Sequence, residues 1–279
     1  RGHQGDRLNP IEHIESLLDQ AEEALDLGDV EAAIDLCGQV LEVVPDHAGA
    51  NFVRGDALRV LGALEEAGDA YRAAALKRPD HAASWASLAL TAFELLDFEE
   101  ARRSVSRAVH EDPRNPEAWW VRSLLQEWRG DLAGAQRSLA HAQWLDPIGF
   151  PMPPHLADAE IERLVEQAIE QLHPDLKNLL SNVAVILDEV PSLEVLLQYD
   201  PPASPLELLG YFSGQSIMER STDDPWSNLP ATIVLFRRNL ARISISQDDL
   251  INQLRITIFH EIGHFLGLDE EEVAKRGLE

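Results

Sequence analysis

The spacing of apolar residues divides the chain into two parts. Up to about residue 147, apolar side chains recur at helical intervals, and helix-breaking residues interrupt them at a regular step. After residue 156 the pattern changes, because the continuous apolar runs 182–187 and 231–236 are typical of buried strands. The segments 159–172 and 248–266 return to helical spacing. The sequence therefore predicts an α-helical first part and an α+β second part.

A step of 34 residues recurs throughout the first part. A glycine ends one helix, a small alanine lets two helices cross closely, and a proline ends the second helix. Leu96 takes the place of the fourth glycine. Three residue types in one register predict four helix-turn-helix units stacked as a solenoid. The positions are Pro45, Pro79, Pro113 and Pro147; Ala33, Ala67, Ala101 and Ala135; and Gly28, Gly62 and Gly130.

With these positions, residues 11–147 resemble tetratricopeptide repeats. The resemblance extends to Trp85 and Trp119 near the start of the first helices, to Gly55, and to Tyr71 in a second helix. It implies a right-handed superhelix whose concave face docks peptides or partner domains. Turning the first helices inward gives five candidate side chains for binding a protein partner. The alternative is that they pack against neighbouring helices or the second part of the chain. The candidates are Phe52, Leu90, Phe93, Trp120 and Leu124.

Four prolines mark the joint between the two parts. Pro147, Pro151, Pro153 and Pro154 fall within eight residues, a composition that favours an extended and semi-rigid connection. We therefore expect a repeat domain over 1–147, a linker over 148–156 and a second domain over 157–279.

The last predicted helix carries the sequence HEIGH at 260–264. A spacing of four residues puts His260 and His264 on one helix face, which suits two ligands of one tetrahedral Zn²⁺. Glu261 follows the first histidine, where its carboxylate can reach a metal-bound water and take its proton. The flanking residues are apolar, so three polar groups gather on an otherwise buried helix. This arrangement is the zincin motif.

The third ligand is expected to be a carboxylate shortly after His264. No histidine follows His264, and only 15 residues remain, too few for a distant second helix. Gly267 can adopt a positive φ, end the helix and turn the chain back toward the metal. In the extended motif of metzincins the third ligand lies ten residues after the first, a spacing that favours Glu270. Asp269 is the alternative, because a one-residue shift at the turn would present it instead.

Residues 155–279 resemble a small bacterial family of minimal zincin-like metallopeptidases. The resemblance rests on the strand at 183–189, the segments 209–214 and 229–237, and the terminal motif at 260–272. It implies a zinc peptidase in which the strand around 233–236 borders the cleft and pairs with an extended peptide.

Charge excludes several classes of partner. The formal net charge is -26, with 27 acidic and 14 basic residues in 1–150 and 22 acidic and 9 basic residues in 151–279. Phosphate backbones and anionic membranes are bound by lysine and arginine, so we expect neither nucleic acid nor a membrane as partner. The single cysteine, Cys37, and the absence of a visible signal peptide favour a cytoplasmic location.

Two hypotheses follow from this combination. The first is a zinc-dependent peptidase whose repeat domain recruits or positions a protein substrate. The alternative is a protein-interaction scaffold whose peptidase-like domain binds metal but has little or no activity.

Overall fold

The computed structural model describes residues 10–170, 183–214 and 231–268. The chain divides into two compact units, the first ending at Pro151 and the second beginning at Met152. The first unit is a solenoid of helix pairs and the second is a small α+β unit, in agreement with the predicted fold class. No helix in the described ranges is long and apolar enough to cross a bilayer.

Eight helices form the described part of the first unit and pack as four successive pairs. Each pair corresponds to one predicted 34-residue repeat. The helices are α1 (Pro10–Asp26), α2 (Val30–Val43), α3 (Ala48–Val60), α4 (Leu64–Lys77), α5 (Ala82–Glu94), α6 (Phe98–Glu111), α7 (Pro116–Trp128) and α8 (Leu132–Leu145).

The turn inside each helix pair has one backbone conformation. Gly28, Gly62 and Gly130 have φ values of +80°, +74° and +77°, and Leu96 has a φ of +63°. In every turn this residue donates its N–H to the carbonyl three residues earlier, and the next residue donates to the carbonyl five residues earlier. These two bonds satisfy carbonyls at the helix end. Leu96 adopts the left-handed region because the repeat geometry requires it, at a cost that glycine avoids.

Small residues allow the two helices of a pair to approach closely. The alanines of the repeat column are fully or almost fully buried, as predicted. Gly55 faces the ring of Tyr71, and a Cβ at Gly55 would lie 2.7 Å from two ring carbons. The Tyr71 hydroxyl donates to Asp56 Oδ1 at 2.7 Å. Gly55 and Tyr71 therefore form a matched pair, and no larger residue fits opposite the ring.

Proline ends the second helix of each pair, as predicted. The residue before each proline has an extended φ between −143° and −125°, as steric contact with the proline ring requires. Trp85 and Trp119 donate their indole N–H groups to the carbonyls of Pro79 and Pro113 at 3.0 and 2.8 Å. The tryptophans therefore fix the turn that leads into the next pair.

The five candidate partner-binding side chains have different surroundings. Leu90, Phe93 and Leu124 are only 4%, 3% and 2% exposed, so they are core residues and do not form an accessible surface. The expectation that these three face a partner is thereby corrected, because the small solenoid uses its apolar side chains for internal packing. Phe52 and Trp120 keep part of their surface exposed.

In its described residues, the second unit combines a three-stranded sheet with helices. Its strands are β1 (Val183–Asp188), β2 (Gly210–Ser213) and β3 (Ala231–Phe236), in the order β1-β3-β2. β1 runs parallel to β3, and β2 runs antiparallel to it. Its helices are α9 (Asp158–Glu170), the short α10 (Leu193–Leu196), α11 (Arg237–Ile243) and α12 (Gln247–Phe265).

The core of the second unit lies between the sheet, α9, α11 and α12. The prediction that 182–187 is a buried strand is wrong in one respect, because residues of β1 alternate between half-buried and exposed. Only one face of this strand packs on the core, as in a one-sided sheet. The buried side chains that form this core are Leu156, Ile161, Leu164, Ile233, Leu235, Leu240, Leu250, Leu254, Ile258, Ile262 and Phe265.

The long helix α12 begins at a capping box. Ser246 accepts a hydrogen bond from the backbone N–H of Asp249, and Asp249 Oδ2 accepts one from the N–H of Ile245. These reciprocal bonds satisfy donors at the start of the helix. They fix the residue at which α12 begins.

Candidate active site

One side of α12 lines a pocket of about 560 Å³ in the second unit. Two rows of α12 residues, each with a spacing of four, form one wall. The chain that leads into β2 and β2 itself form the opposite wall. The helix wall consists of Ile256, Thr257, His260, Glu261 and His264, and the opposite wall of Tyr199, Glu207, Leu208, Leu209, Gly210 and Phe212. The same helix places Ile258, Ile262 and Phe265 in the core. The pocket and the core therefore occupy two faces of one helix.

The two predicted histidine ligands converge in this pocket. His260 and His264 lie one helical turn apart, and their Nε2 atoms face each other at 3.0 Å. Both rings are half-buried. Two nitrogen ligands at about 2.0–2.1 Å from a tetrahedral ion stand about 3.3 Å apart. The separation of the two nitrogens therefore fits a shared metal ion.

The end of α12 fixes the orientation of His264. Gly267 has a φ of +84°, as predicted, and Leu268 donates its N–H to the Gly263 carbonyl at 3.1 Å. This turn brings the Leu268 carbonyl to 3.2 Å from His264 Nδ1. Because a carbonyl can only accept, the ring proton lies on Nδ1 and Nε2 presents a lone pair. Such a bond to the distal nitrogen is the usual support of a metal-binding histidine.

Glu261 lines the same pocket and is only 5% exposed. Thr257, which lines the same wall, donates its hydroxyl to the Gln253 carbonyl at 2.9 Å. A buried carboxylate beside two facing imidazoles is suited to hold a proton during hydrolysis.

The predicted third ligand, Glu270, and its alternative, Asp269, lie outside the described residues. Within the described ranges, no group of three His, Cys, Asp or Glu side chains is arranged to hold a metal ion. The donors present are two imidazole nitrogens, which suit zinc and leave further coordination positions for a carboxylate and a water.

The wall opposite α12 was not assigned a role from the sequence. Gly210 makes its close approach to the helix possible, because a Cβ there would lie 2.9 Å from the Val234 carbonyl oxygen and 3.0 Å from Thr257 Cγ2. Phe212 packs on Phe265 with ring centroids 5.6 Å apart. The glycine between apolar residues at 209–212 was the available signal, since such a glycine often marks a close backbone approach.

The position of β3 corrects the expected peptide-binding strand. The sequence predicted that the strand around 233–236 pairs with an extended peptide, but β3 has β1 on one side and β2 on the other. Both its edges are therefore occupied. Among the described strands, β2 is the one that both lines the pocket and lies at an edge of the sheet.

Comparison with known proteins identifies the class of both parts of the chain. Residues 180–278 match the model of the zincin-like metallopeptidase family. Residues 18–87 and 87–142 match a tetratricopeptide repeat model. The chain thus combines tetratricopeptide repeats with a zincin-like metallopeptidase domain, as the sequence predicted. No curated protein matches the chain.

Solved structures that resemble the chain include tetratricopeptide repeat proteins. TTC0263 from Thermus thermophilus is 20% identical, with a TM-score of 0.46 over 58% of this chain and 93% of that protein. MamA from Desulfovibrio magneticus RS-1 is 20% identical, with a TM-score of 0.43 over 48% of this chain and 76% of that protein. YrrB, described as having an unusual peptide-binding site, is 18% identical, with a TM-score of 0.42 over 55% of this chain and 73% of that protein.

Proposed function

We propose that the second unit is a zinc-dependent peptidase and that the repeat unit recruits or positions its protein substrate. One observation carries this proposal. The Nε2 atoms of His260 and His264 face each other at 3.0 Å in a pocket that also contains the buried Glu261. The match of residues 180–278 to a metallopeptidase family supports the same class of chemistry.

The residues of the site take distinct roles in this proposal. His260, His264 and Glu270 hold the zinc ion, with Asp269 as the alternative third ligand. When bound, the metal supplies Lewis acidity to a water and to the carbonyl oxygen of the substrate. Glu261 accepts the proton of the attacking water and returns it to the amine nitrogen that leaves. Burial of Glu261 holds its carboxylate near the reacting atoms.

The peptide backbone binds along the outer edge of β2. In the antiparallel pairing with β3, Leu209 accepts from Phe236 N at 2.8 Å, so alternate residues turn their backbone groups inward. Gly210 and Phe212 therefore direct their N–H and C=O groups toward the outer edge. An extended peptide added there would lie between β2 and the His260 ring, since both line the pocket.

Each proposed domain has its own role. We assign 1–147 to the repeat domain, 148–156 to the linker and 157–279 to the peptidase domain. Phe52 and Trp120 are the proposed partner-contacting residues that retain exposed surface. The excess of acidic residues in both halves disfavours nucleic acid and anionic membranes as partners. Cys37 is a buried free thiol, and we expect a cytoplasmic location.

Three proteins test the proposal: the wild type, Glu261→Gln and His260→Ala. Zinc content is measured by mass spectrometry, and hydrolysis with a peptide library. We expect the wild type to hold zinc and cleave, and Glu261→Gln to keep zinc but lose about 100-fold or more of its rate. His260→Ala should lose the metal. Glu194→Gln, which changes an exposed carboxylate of α10 outside the pocket, is the matched control.

The outcomes separate the two candidate functions. A wild type that holds zinc but cleaves no library member would favour the interaction scaffold. An unchanged rate in Glu261→Gln would overturn the assigned role of Glu261.

A further inference from the structure

Among the described residues that line the pocket, the charged side chains are carboxylates. They are Glu207 and Glu261, and the other described lining residues are His260, His264 or uncharged side chains. Glu261 is buried and has a proposed role in proton transfer, whereas Glu207 is exposed. Glu207 therefore places a negative charge at the open side of the pocket.

The carboxylate of Glu207 is available to a ligand. Within the described ranges, no lysine or arginine forms an ion pair with it. Glu189, in the same unit, shows the contrasting case, because its carboxylate accepts from Arg238 Nε at 2.8 Å and lies 3.6 Å from Arg237 Nε. Glu189 serves the internal structure of the unit, and Glu207 does not.

A buried amide holds the segment that carries Glu207. Asn239 is fully buried, and its Nδ2 donates to the carbonyls of Pro205 and Leu208 at 3.0 and 2.7 Å. Its Oδ1 accepts from Arg242 Nη1 at 2.7 Å. Two backbone carbonyls that flank Glu207 are thereby tied to α11. The backbone that carries Glu207 is therefore held in place beside the pocket, which lowers the entropic cost of binding a ligand there.

The pocket that Glu207 lines also has apolar side chains in its walls. Tyr199, Leu208, Phe212 and Ile256 line the pocket with it. Glu207 lies at the end of a turn in which its N–H donates to the Ser204 carbonyl, and it precedes Gly210 by three residues. The two residues are therefore at most about 10 Å apart, the length of three residues of extended chain. In a bound peptide, one residue pairs with Gly210. The peptide side chain that reaches Glu207 thus belongs to a residue within about three positions of that one. The residues next to it in the peptide contact the apolar side chains of the pocket.

We propose that the pocket selects peptides in which a lysine or arginine accompanies apolar residues, and that Glu207 is the residue that recognises the basic side chain. This inference rests on the proposed peptidase function and names its substrate class. Long-range attraction supports it, because 151–279 contains 22 acidic and 9 basic residues and attracts cationic peptides.

Paired peptides test the inference. Each pair differs only by lysine or norleucine at one position, so the chain length is kept and the charge is removed. We expect the wild type to show about fivefold higher kcat/KM for lysine at one position near the cleaved bond, mainly through KM. Glu207→Gln should remove this preference, and Glu207→Lys should reverse it. Glu194→Gln and Glu194→Lys, at an exposed carboxylate outside the pocket, should keep it.

The results distinguish this inference from the proposed function. Equal cleavage of both peptides by the wild type would overturn the inference and leave the peptidase assignment intact, as would a lysine preference that survives Glu207→Gln. If the wild type cleaves neither peptide, the peptidase assignment fails. Calorimetric binding of the same two peptides then tests the role of Glu207. Tighter binding of the lysine peptide by the wild type, lost in Glu207→Gln, supports the inference. Equal binding of both peptides overturns it.

Discussion

The repeat unit uses one set of contacts four times, whereas the second unit is organised around the single helix α12. In the repeat unit the turn inside each helix pair has the same two backbone hydrogen bonds, and the second helix of each pair ends before a proline. Stability in such a solenoid is approximately a sum over repeats and their nearest neighbours. In the second unit, Ile258, Ile262 and Phe265 fill the core from the helix that also carries His260 and His264.

This difference has a consequence for substitutions. A poor residue in one repeat, such as Leu96 at a left-handed position, is tolerated because the other repeats keep the same turn. A core substitution in α12 has no such compensation, since it displaces the helix that orients the site. The predictions below test this contrast, beginning with the largest expected effect.

Phe265→Ala should affect both the stability and the site of the second unit. Phe265 is fully buried, packs on Phe212 and adjoins His264. We expect a loss of about 3–5 kcal/mol in the free energy of unfolding and weaker zinc binding. Hydrogen exchange followed by mass spectrometry measures the loss for each unit separately. Phe98→Ala is the control in the repeat unit, where the half-buried Phe98 stacks on Trp128 and should cost less. Equal losses in both variants would contradict the contrast.

Glu117 tests whether the stability of the repeat unit is only local. Burial raises its pKa from the ordinary 4.5 to about 7, an effect that Arg59 opposes and that Asp56 and Glu94 increase. These four residues belong to α3, α5 and α7 and so couple three repeats. Because the folded unit binds a proton that the unfolded chain releases, stability should fall as pH rises from about 4.5 to above 7.

Glu117→Gln should remove this pH dependence. We expect the variant to be more stable than the wild type at pH 8, by an amount on the order of 2 kcal/mol, and nearly equal to it at pH 4.5. Urea unfolding at the two pH values measures the difference. Glu65→Gln, at an exposed residue of α4, is the control. If the variant shows the same pH profile of stability as the wild type, Glu117 is not the source of the pH dependence. The contacts within and between neighbouring repeats would then explain the stability of the unit without it.

Ala63→Asp should stabilise the second repeat by about 1 kcal/mol. Asp29, Asp97 and Asp131 each accept a hydrogen bond from the N–H three residues later at the start of a second helix. Ala63 has nearly the same backbone angles, φ −80° and ψ 68°, but makes no side-chain bond. Asp97→Ala is the reverse substitution and should cost a similar amount. Thermal unfolding measures both, and effects of the same sign would contradict the shared geometry of the turns.

The sequence predicted the repeat unit well because its determinants are local. A left-handed residue, a proline and a small residue at a crossing act within one helix pair, and their recurrence identifies them. The prediction that His260 and His264 share a helix face is local for the same reason, since residues four apart lie one turn from each other. The cap at Ser246 and the positive φ of Gly267 are equally local.

Other features depend on which segments meet across the chain. Apolar character alone could not distinguish a concave surface from a core, so Leu90, Phe93 and Leu124 were expected to face a partner but are buried. Strand order was likewise undetermined, and β3 therefore proved central where an edge was expected. The wall that contains Glu207 and Gly210 lies far from α12 in sequence, and only the close approach of β2 to Thr257 reveals it.

The sequence by itself determined the four helix pairs and the two domain classes, because both follow from short-range spacing. For the same reason it placed the two candidate histidine ligands on one face of a helix. The tertiary structure decided which strand borders the pocket, which apolar residues remain exposed and how Asn239 holds the backbone on either side of Glu207. These are outcomes of packing between distant segments, where many pairings satisfy the same apolar pattern and only close contact selects one.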